Sequence, residues 1–424
     1  MKKKIILSFL SALIFSACSQ GEDLLLNEID NQQISATSIN TINSIEPENQ
    51  EILIDNEYYK NFPDELLGEQ IYNVLVTGNI STEIKSNEVD SIKSQSFFSI
   101  FNKKAHINVY DSFGNEKNFY VTGRVFKKKS IKPPSTNDSL LTNIIRNIKY
   151  FTPDAIENTD VIVSVGNFSQ IARTDSKGYF KAYFTGVNLP LGINIITAKL
   201  NNNKYQFDIP KEELLLDNSN SDEIGIISDV DDTIKITGVD NKLKMIKHIF
   251  SGNFKTDKAI PGVATLYKGI LNDYKGNGAD TVHYVTGSPA HLYDRIQDFI
   301  KLNGFPQGSI DLKKLGSKVD PTPSTTLEYK LSRIRPILKA FPNKKFVMFG
   351  DTTQQDTEVY VKLKKEFPNN VLAIYINNVT KQDPNNPRFK EVKLTNSSVD
   401  AAKDLFEKGI ISQETLNKVI AEVK

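Results

Sequence analysis

Four short segments of this chain place acids, hydroxyls and a lysine in an order that suits transfer of a phosphoryl group. The first, Ile226-Ile-Ser-Asp-Val-Asp-Asp-Thr-Ile234, is an apolar run that delivers Asp229, Asp231, Asp232 and Thr233. Carboxylates crowded at the end of a buried strand repel one another and are costly to desolvate, so a cation or protons must offset them. The second, Val282-His-Tyr-Val-Thr-Gly-Ser-Pro289, ends in Thr286 and Ser288, and Gly287 between them lets the backbone approach a ligand. The third is Lys330, read as facing inward from a helix. The fourth, Phe346-Val-Met-Phe-Gly-Asp-Thr-Thr-Gln-Gln-Asp356, presents Asp351 and, one loop later, Asp356.

A phosphate ester is already anionic, so an anionic nucleophile reaches it only where cations neutralise both partners. Magnesium, a hard ion that prefers oxygen ligands, fits Asp229 and Asp351 together with a backbone carbonyl near Asp231. Asp229 then attacks phosphorus to give an aspartyl-phosphate. Asp231 protonates the leaving alkoxide and later takes a proton from water. Lys330 and the Thr286 hydroxyl hold phosphoryl oxygens, Thr233, Gly287 and Ser288 line the substrate, and Asp356 orients the metal shell.

Competing structural roles exist for each group. A calcium loop of the EF-hand kind needs Gly at its sixth position and Glu at its twelfth; counted from Asp229 these are Ile234 and Asp240. Asp351 or Asp356 could cap a helix. Lys318 or Lys339 could take the place of Lys330, and Ser288 rather than Thr286 could be the phosphate contact. His106, His283 and His291 show no ligand-like spacing and read as structural.

These residues need a rigid frame. Apolar runs at 224–228, 281–286, 345–350 and 371–376 alternate with amphipathic helical stretches near 263–274, 290–302, 326–340 and 356–366. Continuously apolar strands joined by helical crossovers imply a buried parallel sheet covered on both faces, which exposes ligand-binding groups at its strand ends. The fold class is therefore α/β over 223–424, with 398–424 forming two helices about a turn at Lys408-Gly409. The preceding region, 51–217, has a different texture: short extended runs at 106–110, 118–126, 161–165, 179–184, 193–198 and 205–209, separated by turns such as Asp111-Ser-Phe-Gly114 and Asp175-Ser-Lys-Gly178. That pattern predicts an all-β, sandwich-like domain.

The DxDxT strand, the strand-end Thr, the helical Lys and the Gly-Asp motif with a second Asp resemble the four motifs of the haloacid dehalogenase superfamily, implying a Rossmann-like parallel sheet of that type. The runs Ser228-Asp-Val-Asp-Asp-Thr-Ile-Lys235, His283-Tyr-Val-Thr-Gly-Ser-Pro289, Phe305-Pro-Gln-Gly308 and Gly350-Asp-Thr-Thr-Gln-Gln-Asp-Thr-Glu-Val-Tyr360 are similar to the phosphatidate phosphatase catalytic domain first known from a fungal actin patch protein. That resemblance spans roughly 223–379 and extends more weakly into the β region through Thr122-Gly-Arg-Val125 and Lys177-Gly-Tyr-Phe180. It implies magnesium-dependent hydrolysis of phosphatidate to diacylglycerol and phosphate. The family tends to have an aromatic residue after the Ser-Pro, where this chain has Ala290. A phosphatase for soluble phosphomonoesters and a non-catalytic surface-binding lipoprotein are the alternatives.

The start of the chain supplies a location. Lys2, Lys3 and Lys4 precede an apolar run over 5–15, too short to span a bilayer but long enough for a signal-peptide core. It leads into Phe15-Ser16-Ala17-Cys18, which resembles a bacterial lipobox. Cys18 is the one cysteine of 424 residues, so disulfides and a cysteine nucleophile are excluded and lipidation is its economical use. Residues 1–18 read as a lipoprotein signal and 19–50, rich in Ser, Asn and Gln, as a flexible tether to a membrane of the bacterial cell envelope. With 52 Lys and Arg against 51 acids, no global field favours nucleic acid as a partner. A basic amphipathic helix over 242–250 would either meet an anionic surface or cap the core.

Overall fold

The structure is a computed structural model that describes residues 104–424 except 111, 128–130, 140, 141, 144, 145, 148, 149, 151–153, 203, 221, 238–251 and 275–280. The expectations for the signal segment, Cys18, the tether, the region 51–103 and the helix at 242–250 fall outside these residues. Phe97–Lys424 forms one compact unit.

The first part of that unit is a nine-stranded sheet. Its strands are β1 (Lys104–Tyr110), β2 (Gly114–Asn115), β3 (Asn118–Lys127), β4 (Asp160–Val165), β5 (Phe168–Arg173), β6 (Tyr179–Thr185), β7 (Gly192–Leu200), β8 (Gln206–Phe207) and β9 (Lys211–Asp217). They run in the order β5-β4-β7-β9-β2-β3-β1-β8, with β6 on β3. Alternation along the strands sets which face is buried: β4 buries Val161, Val163 and Val165, and β7 buries Ile196, Ala198 and Leu200. These residues share one core with Val109, Val121, Val125, Phe180 and Phe184 from the other half of the sheet. Each large aliphatic or aromatic side chain buried there contributes roughly 1.5–3 kcal/mol. The turn expected at Asp175-Ser-Lys-Gly178 forms with Gly178 at φ 80°, and the Asp175 carboxylate accepts from the backbone N–H of Lys177 and Tyr179.

The second part is the α/β half. A six-stranded sheet contains β10 (Ile224–Ser228), β13 (Thr281–Pro289), β14 (Ser309–Lys313), β15 (Lys345–Asp351), β16 (Val371–Asn377) and β17 (Lys393–Thr395), while β11 (Lys235–Ile236) and β12 (Lys258–Ala259) form a small ribbon. Its order is β14-β13-β10-β15-β16-β17, and every pairing is parallel. The chain leaves β10 to one side for β13 and later returns to its other side for β15. The carboxyl ends of β10, β13 and β15 therefore meet where the strand order reverses, the place an open parallel sheet leaves a crevice. All five residues of β10 are buried, as its unbroken apolar run predicts.

Helices α1 (Val263–Asp273), α2 (Tyr293–Leu302), α3 (Thr326–Ala340) and α4 (Asp356–Glu366) make the crossovers, and α5 (Ser398–Glu407) and α6 (Gln413–Val423) close the chain. The Thr325 hydroxyl caps α3 by accepting from the Glu328 N–H at 3.1 Å, and Ser397 and Asp400 form a reciprocal capping box on α5. Asp273 at the end of α1 accepts from the Thr415 hydroxyl and the Ser412 N–H, tying α6 to α1. No helix among the described residues is long and apolar enough to cross a membrane.

The two parts are bolted together. Arg124 on β3 donates from Nε to the Lys177 carbonyl at 2.8 Å and lies 2.8 Å from His291 Nε2. Asp175 accepts from the Ser317 hydroxyl at 2.9 Å and the Lys318 N–H at 2.8 Å. Lys181 pairs with Asp320 at 3.1 Å. Sequence patterning missed β5, β9, β14 and β17, along with the two-residue strands β2, β11 and β12. Of these, β14 reads Ser-Ile-Asp-Leu-Lys, too short and too polar to stand out, and it is a strand because β13 offers an open edge beside it.

Candidate active site

Asp229 follows β10, where the chain leaves the sheet, and its N–H still donates to the Phe349 carbonyl of β15 at 2.9 Å. Asp351 closes β15, and Asp356 opens α4 one loop later. One carboxylate oxygen from each of Asp229, Asp351 and Asp356 lies within 4.8 Å of the other two, and all three side chains are buried. Lys330 reaches them from the inner face of α3. Its ammonium is fully buried, donates to Asp229 Oδ1 at 2.8 Å and makes a second short contact with Asp356 Oδ1. Lys318 and Lys339, the other lysines considered from sequence, are exposed.

Three buried acids against one ammonium leave an excess of negative charge. Burial lifts the Asp229 carboxyl, Lys330 opposes it, and Asp356 and Asp231 add to the rise, so it is pushed up to about 7. Burial, with Asp356 and Asp229, likewise holds Asp351 well above the usual carboxylate range. Burial alone would lower the Lys330 ammonium; Asp229, Asp356 and Asp351 more than reverse this. Asp351 Oδ1 accepts from the Thr353 N–H and hydroxyl, while its Oδ2 is buried without a hydrogen-bond partner. A buried carboxylate oxygen left in that state is costly. An oxygen-preferring divalent cation would supply both the missing partner and the missing charge, so the donor set fits magnesium.

The Asp231 carboxylate is not one of the three. It pairs with Lys235 at 2.7 Å and accepts from the Ser288 hydroxyl at 2.8 Å, on the more open side of the cluster. The role expected of this residue in metal binding rested on a backbone carbonyl, and its side chain faces Lys235 and Ser288 rather than the three acids. Asp232 turns aside at φ 57° and accepts from the Thr237 N–H at 2.9 Å. The Thr233 hydroxyl stands 3.4 Å from Asp229 Oδ2. Thr286 is buried directly after the apolar part of β13, and its Oγ accepts from the Ser288 N–H at 3.1 Å, which shapes the turn through Gly287. Ser288 thus reaches the acids through Asp231, and Thr286 shapes the turn that carries it.

Lys235 and Thr353 were not singled out from sequence. Their signals were present: Lys235 closes the Asp-Val-Asp-Asp-Thr-Ile-Lys run four residues after Asp231, and Thr353 lies two after Asp351. The histidines are placed structurally. His283 Nδ1 lies 2.7 Å from the Ser309 hydroxyl among Phe113, Phe341 and Phe346.

Residues 224–378 match the family model described as "Phosphatidate phosphatase APP1, catalytic domain". The segment that carries the buried acid cluster is therefore similar to the catalytic domain of a phosphatase, a class of hydrolase. Among individual proteins, phosphatidate phosphatase APP1 of Saccharomyces cerevisiae is 39% identical over 156 residues, covering 36% of this chain and 25% of that protein. An uncharacterized protein of Schizosaccharomyces pombe is 28% identical over 158 residues, covering 37% of this chain and 25% of its own length. The chain spans about a quarter of the length of these relatives. A carbohydrate acetylesterase from Xanthomonas citri, 8% identical over 62% of this chain and 65% of that chain, aligns with a TM-score of 0.24, which carries no argument.

Proposed function

We propose that this protein is a magnesium-dependent phosphatidate phosphatase of the haloacid dehalogenase type that hydrolyses phosphatidate to diacylglycerol and phosphate. The observation that carries the reading is the set of three buried carboxylates within 4.8 Å of one another, braced by Lys330, inside a segment similar to a phosphatidate phosphatase catalytic domain. Magnesium held by Asp229, Asp351 and a carbonyl near Asp231, with Asp356 orienting its shell, would shield the charge of the incoming phosphate. Asp229 is the nucleophile. Its Oδ1 is fixed by Lys330, and its Oδ2 lies toward Thr233. Attack of a carboxylate oxygen on phosphorus forms the aspartyl-phosphate and breaks the bond to the alkoxide. Asp231, on the open side, hands that alkoxide a proton and then takes one from the water that releases phosphate. Thr286, Gly287 and Ser288 line the phosphoryl group, and Lys330 balances its charge.

The lipid anchor at Cys18 belongs to the same proposal: a tethered enzyme would meet a lipid phosphate at the surface of a cell-envelope membrane. Phosphate release from vesicles containing phosphatidate, with magnesium, tests the activity. Asp229→Asn should reduce it by roughly a thousand-fold or more, and chelation by EDTA should abolish it. Equal rates in EDTA would overturn the metal mechanism. Faster turnover of short soluble phosphomonoesters than of vesicle-borne phosphatidate would reassign the substrate.

A further inference from the structure

The phosphate-binding loop has a second lysine beside it. Lys313 ends β14, opposite Pro289 on β13, so its position is set by the strand neighbouring the Thr286 loop. Its side chain is only 2% exposed. The ammonium lies 3.3 Å from the Thr326 hydroxyl. Thr326 precedes Lys330 by four residues on α3, one helical turn on the same face and nearer the carboxyl edge of the sheet. Lys313 therefore meets α3 one turn from Lys330.

Gly287 defines what lies between. A Cβ built there would be 3.4 Å from Gln354 Oε1 and 3.9 Å from Lys313 Nζ, with no closer neighbour. The space a side chain would fill at this position is thus bordered by an amide from the Asp351–Asp356 loop and by an ammonium. Lys314, next in sequence, points elsewhere, to Asp320 at 3.0 Å and Asp311 at 3.5 Å. The loop that follows is pinned by Asp175 through Ser317 and Lys318, and Gly316 within it adopts φ 70°. The nine-stranded part of the protein thereby anchors the loop that follows Lys313.

We propose that Lys313 is a substrate-binding residue, a second cation beside Gly287 that, with Gln354, holds a non-bridging oxygen of a phosphomonoester there. This rests on the phosphatase reading of the site. The transferred group spreads its charge over three equatorial oxygens, and a further cation beside Gly287 would neutralise part of it. A further cation beside Gly287 lowers the cost of bringing a dianion toward buried acids. It also holds the free phosphate product.

The test uses the full-length protein with magnesium and compares Lys313→Met, Lys313→Arg and Lys314→Met. It reads KM and kcat on a soluble phosphomonoester, the inhibition constant of inorganic phosphate, and the thermal unfolding midpoint. Loss of a charge-assisted hydrogen bond should raise both KM and the phosphate inhibition constant by about tenfold or more in Lys313→Met. Lys313→Arg should recover most of this, and Lys314→Met should leave phosphate affinity unchanged. Unchanged KM and phosphate inhibition in a folded Lys313→Met would overturn the proposal while the phosphatase reading stands, as would an equal effect from Lys314→Met. If the parent neither binds phosphate nor turns over any phosphomonoester, both fall. Should Lys313→Met fail to fold, Gly287→Ala decides: its methyl enters the gap without a clash, and undiminished phosphate affinity in that variant would overturn the assignment.

Discussion

Replacing Lys330 by methionine would leave Asp229, Asp351 and Asp356 buried together without their ammonium. At 2.8 Å and an effective dielectric of about 20, the Lys330–Asp229 attraction alone is roughly 6 kcal/mol. Part of that is offset because the ammonium no longer has to be desolvated, and breaking a buried pair typically costs about 3–5 kcal/mol net. The loss should depend on pH in a definite direction. Asp229 is already pushed up to about 7, and Asp351 is also raised, so the folded state binds protons that the unfolded chain has released above pH about 4. Stability linked to these groups is therefore present at low pH and is lost as pH rises through the folded-state values. Without Lys330 both groups move further up, and the variant should lose more stability at pH 8 than at pH 5. Urea unfolding of parent and Lys330→Met in EDTA at the two pH values measures this, and a magnesium titration of the variant should restore part of the loss. A variant within about 0.5 kcal/mol of the parent at both pH values would refute the electrostatic account of the cluster.

Other consequences follow from particular contacts. Gly350→Ala would place a Cβ 2.5 Å from the Asp356 Cβ and 2.7 Å from its Oδ2, so Asp356 must move; phosphate release should fall by about a hundredfold or more while far-ultraviolet circular dichroism is retained, and full activity would show that Asp356 need not be held there. Burial, with Lys344, depresses the His283 imidazole to about 3. Its neutral form is the folded one, so stability is complete above the unfolded value near 6.5 and is lost as pH falls toward 3, by an amount on the order of 5 kcal/mol. His283→Phe, in a pocket already lined by Phe113, Phe341 and Phe346, should flatten that acid limb of the unfolding midpoint; an unchanged pH profile would count against it.

The frame of the α/β half was legible because its signals are local. Runs of apolar residues at 224–228 and 345–350 became buried strands, and the amphipathic stretches at 326–340 and 356–366 became helices with those limits. Period and composition suffice where an element buries one whole face or both. The extended run expected at 205–209 shortened to Gln206–Phe207, paired only at the edge of β1, because a strand's length is set by its partner. The strand β14 was not readable from its own short, polar run, and it forms because it pairs with β13.

By itself the sequence singled out the candidates: Asp229, Asp231, Thr286, Lys330, Asp351 and Asp356 follow apolar runs or lie on a helix, which is where a parallel sheet displays its ligands. Only the tertiary structure decided which of them lie together. It set Asp229, Asp351 and Asp356 around Lys330, turned the Asp231 carboxylate toward Lys235 and Ser288, and brought Lys313 alongside Gly287. These are contacts across 26 to 101 residues of chain in the case of Lys330. Coulomb and desolvation energies depend on separations of a few ångströms in space, and spacing along the chain constrains such separations only within a turn or two of one element.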